Sequence, residues 1–386
     1  MNRSIYFDNA ATTYPKPKQV YDYMDKFYRE YGVNVGRGQY KKASEGSKLV
    51  EETRALIRNL FNCPISKKVV FTPSATDAIN IILRGMNWQG GENVYITYFE
   101  HNAVLRTLYY LKEKYHFNIH FLDTDKNTFD YDLEKIKYQF HDEKPDMVIM
   151  THASNVCGVI TPIVEISDLA KKYDSQVVID CAQTAGLLQI DMKKLKADYV
   201  VFAGHKTLYG PFGIAGFIMD KKSKLKPLLY GGTGTDSANP DLPDTVPERF
   251  EVGSLNIQAI AGLNAALKWM KQVERGNIHE KEKEMTRKLI ECLESFDNIK
   301  VIKASNNENQ IGVVSCVFDG YGSDSIGQVF DQYNIAVRTG LHCAPEAHRF
   351  LGTFPGGTVR FSLAYFNELE DIKKLDDVLE YICFNS

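Results

Sequence analysis

The chain has 386 residues, 44% of them hydrophobic, so it can bury a large core that we expect to divide into two domains. Its formal charge is -3, from 46 basic and 49 acidic residues without a long run of either sign, which argues against nucleic acid or a membrane as partner. Residues 1–20 lack the features of a signal peptide, and no segment approaches about 18 consecutive apolar residues, so the protein is expected to be cytoplasmic.

Seven short apolar runs predict the strands of a mostly parallel sheet. In chain order they are VVFT, NVYIT, IHFLD, DMVIMT, QVVID, DYVVFA and IAGFIM. The segments between them mostly pattern as helix, which is typical of strands buried on both faces of an α/β sheet. We therefore predict a large α/β domain over residues 15–250.

A different pattern begins after this sheet. The segment from Gly231 to Pro247 is dense in glycine, proline, aspartate and threonine and is predicted to be a loop. Beyond it, residues 256–274 have apolar side chains at helical spacing, and the runs GVVSCVF, IAVRTG and GTVRFSL predict short strands. Residues 1–14 and 251–386 are expected to form a smaller α+β domain.

Polar side chains follow several of the predicted strands, where ligands bind in open α/β sheets. Ala75 and Thr76 follow VVFT at the start of a helix pattern, where amides and a hydroxyl suit a phosphate. Asp180 ends QVVID, and a carboxylate there is unfavourable unless it meets a cation. Lys206 follows DYVVFA, where burial would make its amine a usable nucleophile.

These features together match the needs of pyridoxal phosphate, which requires a lysine for a Schiff base, a carboxylate for the pyridine nitrogen and a phosphate site. Neither GxGxxG nor GxxxxGK[ST] occurs, which argues against a nucleotide. Each feature also has an ordinary structural interpretation, because Ser and Thr cap many helices and a single histidine after a strand is commonly structural.

The seven cysteines are scattered without a CxxC pair and are expected to be reduced thiols. One of them, Cys343, lies between two histidines in RTGLHCAPEAHRF, residues 338–350, and three interpretations are open: metal ligand, buried apolar side chain or nucleophile. No second cluster of ligands completes a metal site, and Gly340 and Pro345 favour a loop over a core strand. The nucleophile is favoured, and we expect positive charge from Arg338 and His342 to assist it by lowering its pKa. His348 has no assigned role.

Ordered motifs along nearly the whole chain resemble those of a known family. They are YFDNAATTYPKP, EHNA, HASNVCG, VVIDCAQTAG, GHKTLYGPFG, FEVGSLN, RTGLHCA and VRFSLAYFN. With them the chain resembles the class V aminotransferase family of fold type I pyridoxal phosphate enzymes, and within it the cysteine desulfurase and selenocysteine lyase branch. The resemblance implies a homodimer whose active sites are shared between the subunits.

The resemblance also implies roles for particular residues. Lys206 would carry the Schiff base, Asp180 would pair with the pyridine nitrogen, and His101 would stack on the ring and act in catalysis. The remaining cofactor contacts would come from Ala75, Thr76, Asn155, Gln183 and His205, joined by Ser254 of the other subunit. The substrate would be held by Ala11, Asn155, Arg338 and Arg360, with Arg360 on its carboxylate.

Three departures from the family pattern bear on this site. Ala203 stands where the family often has a Ser or Thr that binds the phosphate, so one phosphate contact is expected to be missing. The segment from Gly36 to Tyr40 contains none of the histidines common in desulfurases of cluster assembly, so the substrate entrance is expected to differ. The short segment between Cys343 and Arg360 favours the group of the family with a compact cysteine loop.

The resemblance therefore implies a cysteine desulfurase that converts L-cysteine to L-alanine and takes the sulfur on Cys343 as a persulfide. A sulfur-acceptor protein and a place in iron–sulfur cluster assembly are further expectations. The alternatives are another class V enzyme, such as a selenocysteine lyase, a cysteine-conjugate lyase or an aminotransferase. A catalytically silent pyridoxal phosphate protein that serves as a scaffold also remains open. In the purely structural interpretation, Arg360 is a surface or interface charge, Ser254 a helix cap and Gln183 a solvent-facing loop residue.

Overall fold

A computed structural model describes residues 4–35, 38, 40–234 and 238–384 of the chain. The α-helices within them are α1 (Lys18–Tyr31), α2 (Lys41–Leu60), α3 (Ala75–Gly85), α4 (Asn102–Tyr115), α5 (Leu133–Asp142), α6 (Ile163–Ala170), α7 (Ile257–Val273), α8 (Arg275–Glu294), α9 (Ser323–Gln332), α10 (Pro345–Leu351) and α11 (Leu369–Phe384). None of these helices is long and apolar enough to cross a membrane.

The strands fall into three sheets. They are β1 (Ile5–Tyr6), β2 (Lys67–Thr72), β3 (Asn93–Ile96), β4 (Asn118–Phe121), β5 (Met147–Thr151), β6 (Gln176–Asp180), β7 (Tyr199–Ala203), β8 (Ala215–Asp220), β9 (Ile299–Ile302), β10 (Val313–Phe318), β11 (Ile335–Ala336), β12 (Arg338–Gly340) and β13 (Thr358–Ser362). All seven apolar runs predicted from the sequence are strands of one sheet, in the order β2-β8-β7-β6-β5-β3-β4.

The large sheet is parallel except for β8, which runs antiparallel to both of its neighbours, β2 and β7. The connection from β7 to β8 is the short glycine-spaced turn of residues 204–214, which contains no helix. A parallel neighbour requires a long crossover, usually helical, so a connection this short reverses the chain. The expectation of a mostly parallel α/β sheet is confirmed, with β8 as the exception.

Helices cover both faces of this sheet. Alternate residues of β6 point to opposite faces, with Val177 and Ile179 in one apolar cluster and Val178 in the other. The first cluster is completed by α1, α2, α5, α6 and α7, and the second by α3 and α4. Burial on both faces explains why the strands read as continuous apolar runs in the sequence.

A smaller antiparallel sheet has the order β12-β13-β10-β9. Its apolar side chains form a separate core with residues of α8, α9 and α11. Residues 5–6 near the start of the chain pair with β11 in this part of the molecule. The division into residues 15–250 and residues 1–14 with 251–386 stays a prediction. Helix α7, from the second part, packs mainly against α1 and α2 of the first.

Candidate active site

The carboxyl ends of five parallel strands, β2, β3, β5, β6 and β7, meet at a cavity of about 230 Å³. Ligands of open α/β sheets bind at such edges. Most of the residues that the sequence pointed to line this cavity: Ala11, Ala75, Thr76, His101, Asn155, Asp180, Gln183, His205, Lys206, Arg338 and Arg360. Cys343 and Ser254 are not among the lining residues and are described below.

Lys206 lies in the turn between β7 and β8, where it is partly buried and lines the cavity. Burial lowers the pKa of its amine to about 8, an effect opposed by Asp180 and reinforced by Arg360 and Arg338. Asp180 is the last residue of β6, and its Oδ1 accepts a hydrogen bond from the Ala182 amide at 2.9 Å. Burial raises the pKa of Asp180, while that amide and Lys206 favour its ionised form. A deprotonatable lysine and a buried carboxylate therefore share one cavity.

The start of α3 forms the end of the cavity that suits an anion. The Ser74 hydroxyl caps this helix, and Ala75 and Thr76 in its first turn line the cavity. His205 lines it as well, and its Nδ1 is buried without a hydrogen-bond partner in the described part of the chain. Burial also lowers the pKa of His205 to about 3, so the ring is uncharged. Ala203 also lines the cavity and, being an alanine, has no hydroxyl to offer a phosphate.

His101 caps α4 with its own side chain. Its Nδ1 accepts a hydrogen bond from the Ala103 amide at 3.0 Å, so the neutral ring carries its proton on Nε2. Burial, together with the cationic groups nearby, lowers the pKa of His101 to about 4. The cap fixes the orientation of an uncharged imidazole at the edge of the cavity.

The side-chain amides of two predicted residues bind backbone carbonyls around the cavity. Gln183 Nε2 donates to the carbonyl of Ala10 at 3.0 Å, and Asn155 Nδ2 donates to the carbonyl of His342 at 2.7 Å. Both side chains are buried, which excludes the solvent-facing interpretation of Gln183. They tie the N-terminal segment and the cysteine segment to the large sheet.

Arg360, in β13, is 1% exposed, so the alternative of a surface charge is wrong. Its Nη2 donates to Asp8 Oδ1 at 2.6 Å and its Nη1 donates to the carbonyl of Asn155 at 2.9 Å. Its Nε is buried without a partner among the described residues. Arg338 stands directly opposite on β12, so two guanidinium-bearing residues occupy one corner of the site. That corner is suited to a carboxylate.

Cys343 follows β12 in a turn with left-handed backbone, φ 47° at His342 and φ 59° at Cys343. Such values in two non-glycine residues are unfavourable by about 1 kcal/mol each. Hydrogen bonds hold the turn, since Asn155 binds the carbonyl of His342 and the Asn102 amide donates to the carbonyl of Cys343 at 2.7 Å. The thiol is partly exposed, and its Sγ lies 3.4 Å from Nη2 of Arg338.

The expectation that His342 supplies positive charge to Cys343 is wrong. His342 is buried, its Nε2 lies 2.8 Å from Thr358 Oγ1, and burial lowers its pKa to about 2. An imidazole in this environment is neutral at physiological pH, which leaves Arg338 as the cation that contacts the thiol. His348 is also buried, and its Nδ1 bonds to Thr353 Oγ1 at 2.7 Å within the turn that ends α10.

No group of three or more His, Cys, Asp or Glu side chains within residues 4–35, 38, 40–234 and 238–384 is arranged to hold a metal ion. The seven cysteines are all free thiols. Ser254 is exposed, and its Oγ accepts a hydrogen bond from Asn34 Nδ2 at 3.2 Å. In the predicted substrate entrance, residues 36, 37 and 39 lie outside the described residues.

Glu100 precedes the cavity residue His101, does not itself line the cavity, and had no role predicted from the sequence. It is completely buried, and its Oε1 accepts hydrogen bonds from Thr97 Oγ1 and the Thr151 amide, both at 2.7 Å. Its Oε2 has no partner in the described part of the chain. Burial raises the pKa of Glu100 to about 8, and the charge of Asp180 adds to the rise. The sequence feature that could have identified Glu100 is an acidic residue soon after an apolar strand, the same feature that identified Asp180.

Comparison with known proteins agrees with this geometry. The family model described as "Aminotransferase class-V" matches residues 5–375. A protein named "Probable cysteine desulfurase" from Methanothermobacter thermautotrophicus is 30% identical, over 98% of this chain and 94% of its own length. One of the same name from Pyrococcus abyssi is 31% identical, over 97% of this chain and 93% of its own length.

Among solved structures, an apo cysteine desulfurase from Thermococcus onnurineus superposes with a TM-score of 0.92 at 29% identity, covering 100% of this chain and 96% of that one. The fold, the cavity at the strand ends and the family match lead to the same assignment, and the chain belongs to the class V aminotransferase family.

Proposed function

We propose that the protein is a pyridoxal phosphate-dependent cysteine desulfurase that converts L-cysteine to L-alanine and takes the sulfur onto Cys343. The observation that carries the proposal is the position of the Cys343 thiol. It lies beside Arg338, which lines the same cavity as Lys206, Asp180 and Arg360. Relatives named cysteine desulfurase, alike over nearly the whole chain, support the same activity.

The residues of the cavity fit pyridoxal phosphate, the cofactor of this family. The helix start at Ala75 and Thr76 and the unpartnered Nδ1 of His205 suit its phosphate, and Asp180 suits a protonated ring nitrogen. Lys206 would bind it covalently. When bound, the cofactor delocalises the electrons that remain after a substrate carbon loses its proton.

Substrate binding is assigned to the corner formed by Arg360 and Arg338. Nε of Arg360 is a buried donor without a partner in the described residues, and a carboxylate would satisfy it. Ala11 and Asn155 complete this side of the cavity. The two guanidinium groups would orient the amino acid so that its sulfur points toward Cys343.

Proton transfer is assigned to Lys206, because its pKa of about 8 leaves a usable fraction of neutral amine at physiological pH once the amine is free. The same amine can take a proton from the α carbon and return one to the product. His101 is uncharged, so it would stack on the ring of the cofactor without placing a further positive charge over it.

Sulfur transfer is assigned to Cys343 as thiolate, with the Arg338 guanidinium beside it. The thiolate attacks the substrate sulfur, so an S–S bond forms while the bond from the β carbon to sulfur breaks. The electron pair of that bond stays on the substrate carbon, which is protonated and leaves as alanine. The enzyme retains one sulfur as a persulfide, and an acceptor protein or a small thiol removes it.

We further propose a homodimer and a cytoplasmic location. Phe212, Leu229 and Tyr230 are 65%, 61% and 76% exposed, a large apolar area to leave in water, and Phe212 stacks on His205. Ser254 is exposed, as a residue that completes a partner's site would be. Free thiols throughout the chain suit a reducing compartment.

A substrate panel tests the activity. The holoenzyme and its Cys343→Ala variant are given L-cysteine, L-selenocysteine, a cysteine S-conjugate, or an amino acid with a 2-oxo acid, and alanine and sulfide are measured separately. We expect equal amounts of alanine and sulfide from L-cysteine in the presence of a thiol reductant, and loss of both in the variant. Unchanged release by Cys343→Ala would contradict the persulfide role, and amino transfer in its place would indicate an aminotransferase.

A further inference from the structure

Residues 12–16, near the N-terminus, donate hydrogen bonds to the backbone of the turn that carries Lys206. The carbonyl of His205 accepts hydrogen bonds from Thr12 Oγ1 at 3.0 Å, from the Thr13 amide at 3.1 Å and from Lys16 Nζ at 2.5 Å. The carbonyl of Lys206 accepts one from Thr13 Oγ1 at 2.9 Å. Residues almost 200 positions apart in sequence therefore meet at the lysine.

These contacts hold the peptide groups on both sides of the Lys206 α carbon. A peptide group is planar, so the chain is free to turn only about the φ and ψ bonds of each residue. Fixing the peptide plane before Lys206 and the plane after it fixes both angles. The direction of the bond from the α carbon to the side chain is then set as well.

The turn also has hydrogen bonds of its own, so the loss of one N-terminal donor is expected to loosen the peptide groups around Lys206 without unfolding the turn. The Gly210 amide donates to the carbonyl of Gly204 at 2.8 Å, and the Tyr209 amide donates to the carbonyl of Lys206 at 2.8 Å. Thr207 Oγ1 donates to the carbonyl of Ala185 at 2.7 Å. The N-terminal contacts are thus additional to those that close the turn.

A lysine is an unfavourable side chain at position 16, where it lies partly buried beside the His205 carbonyl, and its presence suggests a functional role. It is partly buried, and no carboxylate pairs with it among the described residues. Burial lowers the pKa of Lys16 to about 7. Its amino group donates to the Thr12 hydroxyl and the His205 carbonyl, and a partly buried cation without a carboxylate beside it is unfavourable.

We propose that Thr13 and Lys16 are positioning residues for Lys206, which hold its flanking peptide groups so that its amine stays aimed at the reacting carbon. The proposal rests on the proposed function for the role of Lys206. Because these residues set the geometry of Lys206 and do not bind the substrate, changing them should affect turnover more than substrate affinity.

The holoenzyme with Thr13→Val tests the proposal, since valine keeps the shape and the backbone amide but removes the hydroxyl donor. We expect kcat for alanine release to fall about 10-fold with KM for L-cysteine nearly unchanged, because small misplacements of reacting groups slow catalysis. Thr13→Ser, which restores the donor, should recover most of the rate. Lys16→Met should act in the same direction as Thr13→Val, and Lys18→Met on the exposed surface is its matched control.

A spectroscopic readout separates positioning from activity. The visible absorbance of the covalent link to Lys206 is titrated with pH in each holoenzyme, and its midpoint should move in Thr13→Val and Lys16→Met and stay unchanged in Thr13→Ser and Lys18→Met. Wild-type kcat and midpoint in Thr13→Val and Lys16→Met would overturn the proposal. Equal losses in Thr13→Val and Thr13→Ser with a lowered melting temperature would also overturn it, as a merely structural role. If wild type releases no alanine, the proposed function fails, while the absorbance midpoints still decide this inference.

Discussion

The turn with Lys206 and the turn with Cys343 serve one cavity but are built in different ways. The lysine turn follows a strand of the large sheet that is buried on both faces, and internal hydrogen bonds close it. The cysteine turn follows β12 of the small sheet, has two residues with positive φ, and is held by Asn155, in the loop after β5, and by Asn102, at the start of α4. Lys206 and Cys343 are both partly buried, but Lys206 lines the cavity directly, whereas Cys343 lies beside it, against Arg338 of the small sheet.

This difference assigns separate tasks to the two turns. An amine that lines the cavity and has a lowered pKa suits proton transfer, and a partly exposed thiol beside the cavity suits delivery of sulfur to another molecule. Loss of Lys206 should therefore abolish every reaction of the cofactor. Changes in the cysteine turn should abolish only sulfur transfer.

The largest effect is expected for Lys206→Ala. The amine is both the covalent anchor and the proton carrier, so alanine release should fall by about 10⁴-fold. The visible absorbance of the covalent link should disappear. Retention of that absorbance in Lys206→Ala would show that another residue anchors the cofactor.

The next effect is expected for Cys343→Ala. Sulfide and alanine release from L-cysteine should fall by about 100-fold or more, because the nucleophile is lost, while the visible absorbance stays as in wild type. Cys63→Ala is the matched control, since Cys63 is also a partly buried thiol but lies beside Met192, away from the cavity. Loss of the absorbance in Cys343→Ala would show that the two turns do not act separately.

A smaller effect is expected for Arg360→Lys, measured as KM for L-cysteine. Lysine keeps the charge but loses the planar fork that reaches Asp8 and Asn155, so about 2 kcal/mol of substrate binding should be lost. This corresponds to a KM higher by roughly 30-fold. Arg349→Lys on the exposed face of α10 is the control, and equal KM values in Arg360→Lys and wild type would remove Arg360 from the substrate site.

The smallest effect is expected in the pH profile. The pKa of the Lys206 amine is lowered to about 8. The neutral fraction of the amine, and with it kcat, should therefore increase as the pH rises through about 8. Arg338 contributes to that lowering, so Arg338→Gln should raise the pKa of Lys206 and move the midpoint of the profile to higher pH, in addition to the loss of rate from its contacts with the substrate and Cys343. A profile that moves to lower pH would contradict the electrostatic account.

Much of the fold and the lysine side of the site could be predicted from the sequence. Buried parallel strands appear as apolar runs, and residues that follow such strands meet at one edge of the sheet, so Asp180 and Lys206 were found by position alone. The antiparallel direction of β8 was missed, although the short link from β7 was the signal for it.

The cysteine side could be predicted only in part, because its geometry depends on contacts between distant segments. The pair of Arg360 and Asp8 joins residues 352 positions apart. Sequence position also does not show burial, which is why the charge expected on His342 was wrong. The contacts of Thr13 and Lys16 with the lysine turn could not be predicted either, because they join segments that are far apart in sequence.

The most direct test of the account is a single turnover of the holoenzyme with less than one equivalent of L-cysteine and no reductant, followed by mass analysis of the peptide that contains Cys343. We predict that this peptide gains the mass of one sulfur atom in the same amount as the alanine released, and that the peptides with the other six cysteines gain none. Alanine released without added sulfur on Cys343, or sulfur found on another cysteine, would contradict the central claim.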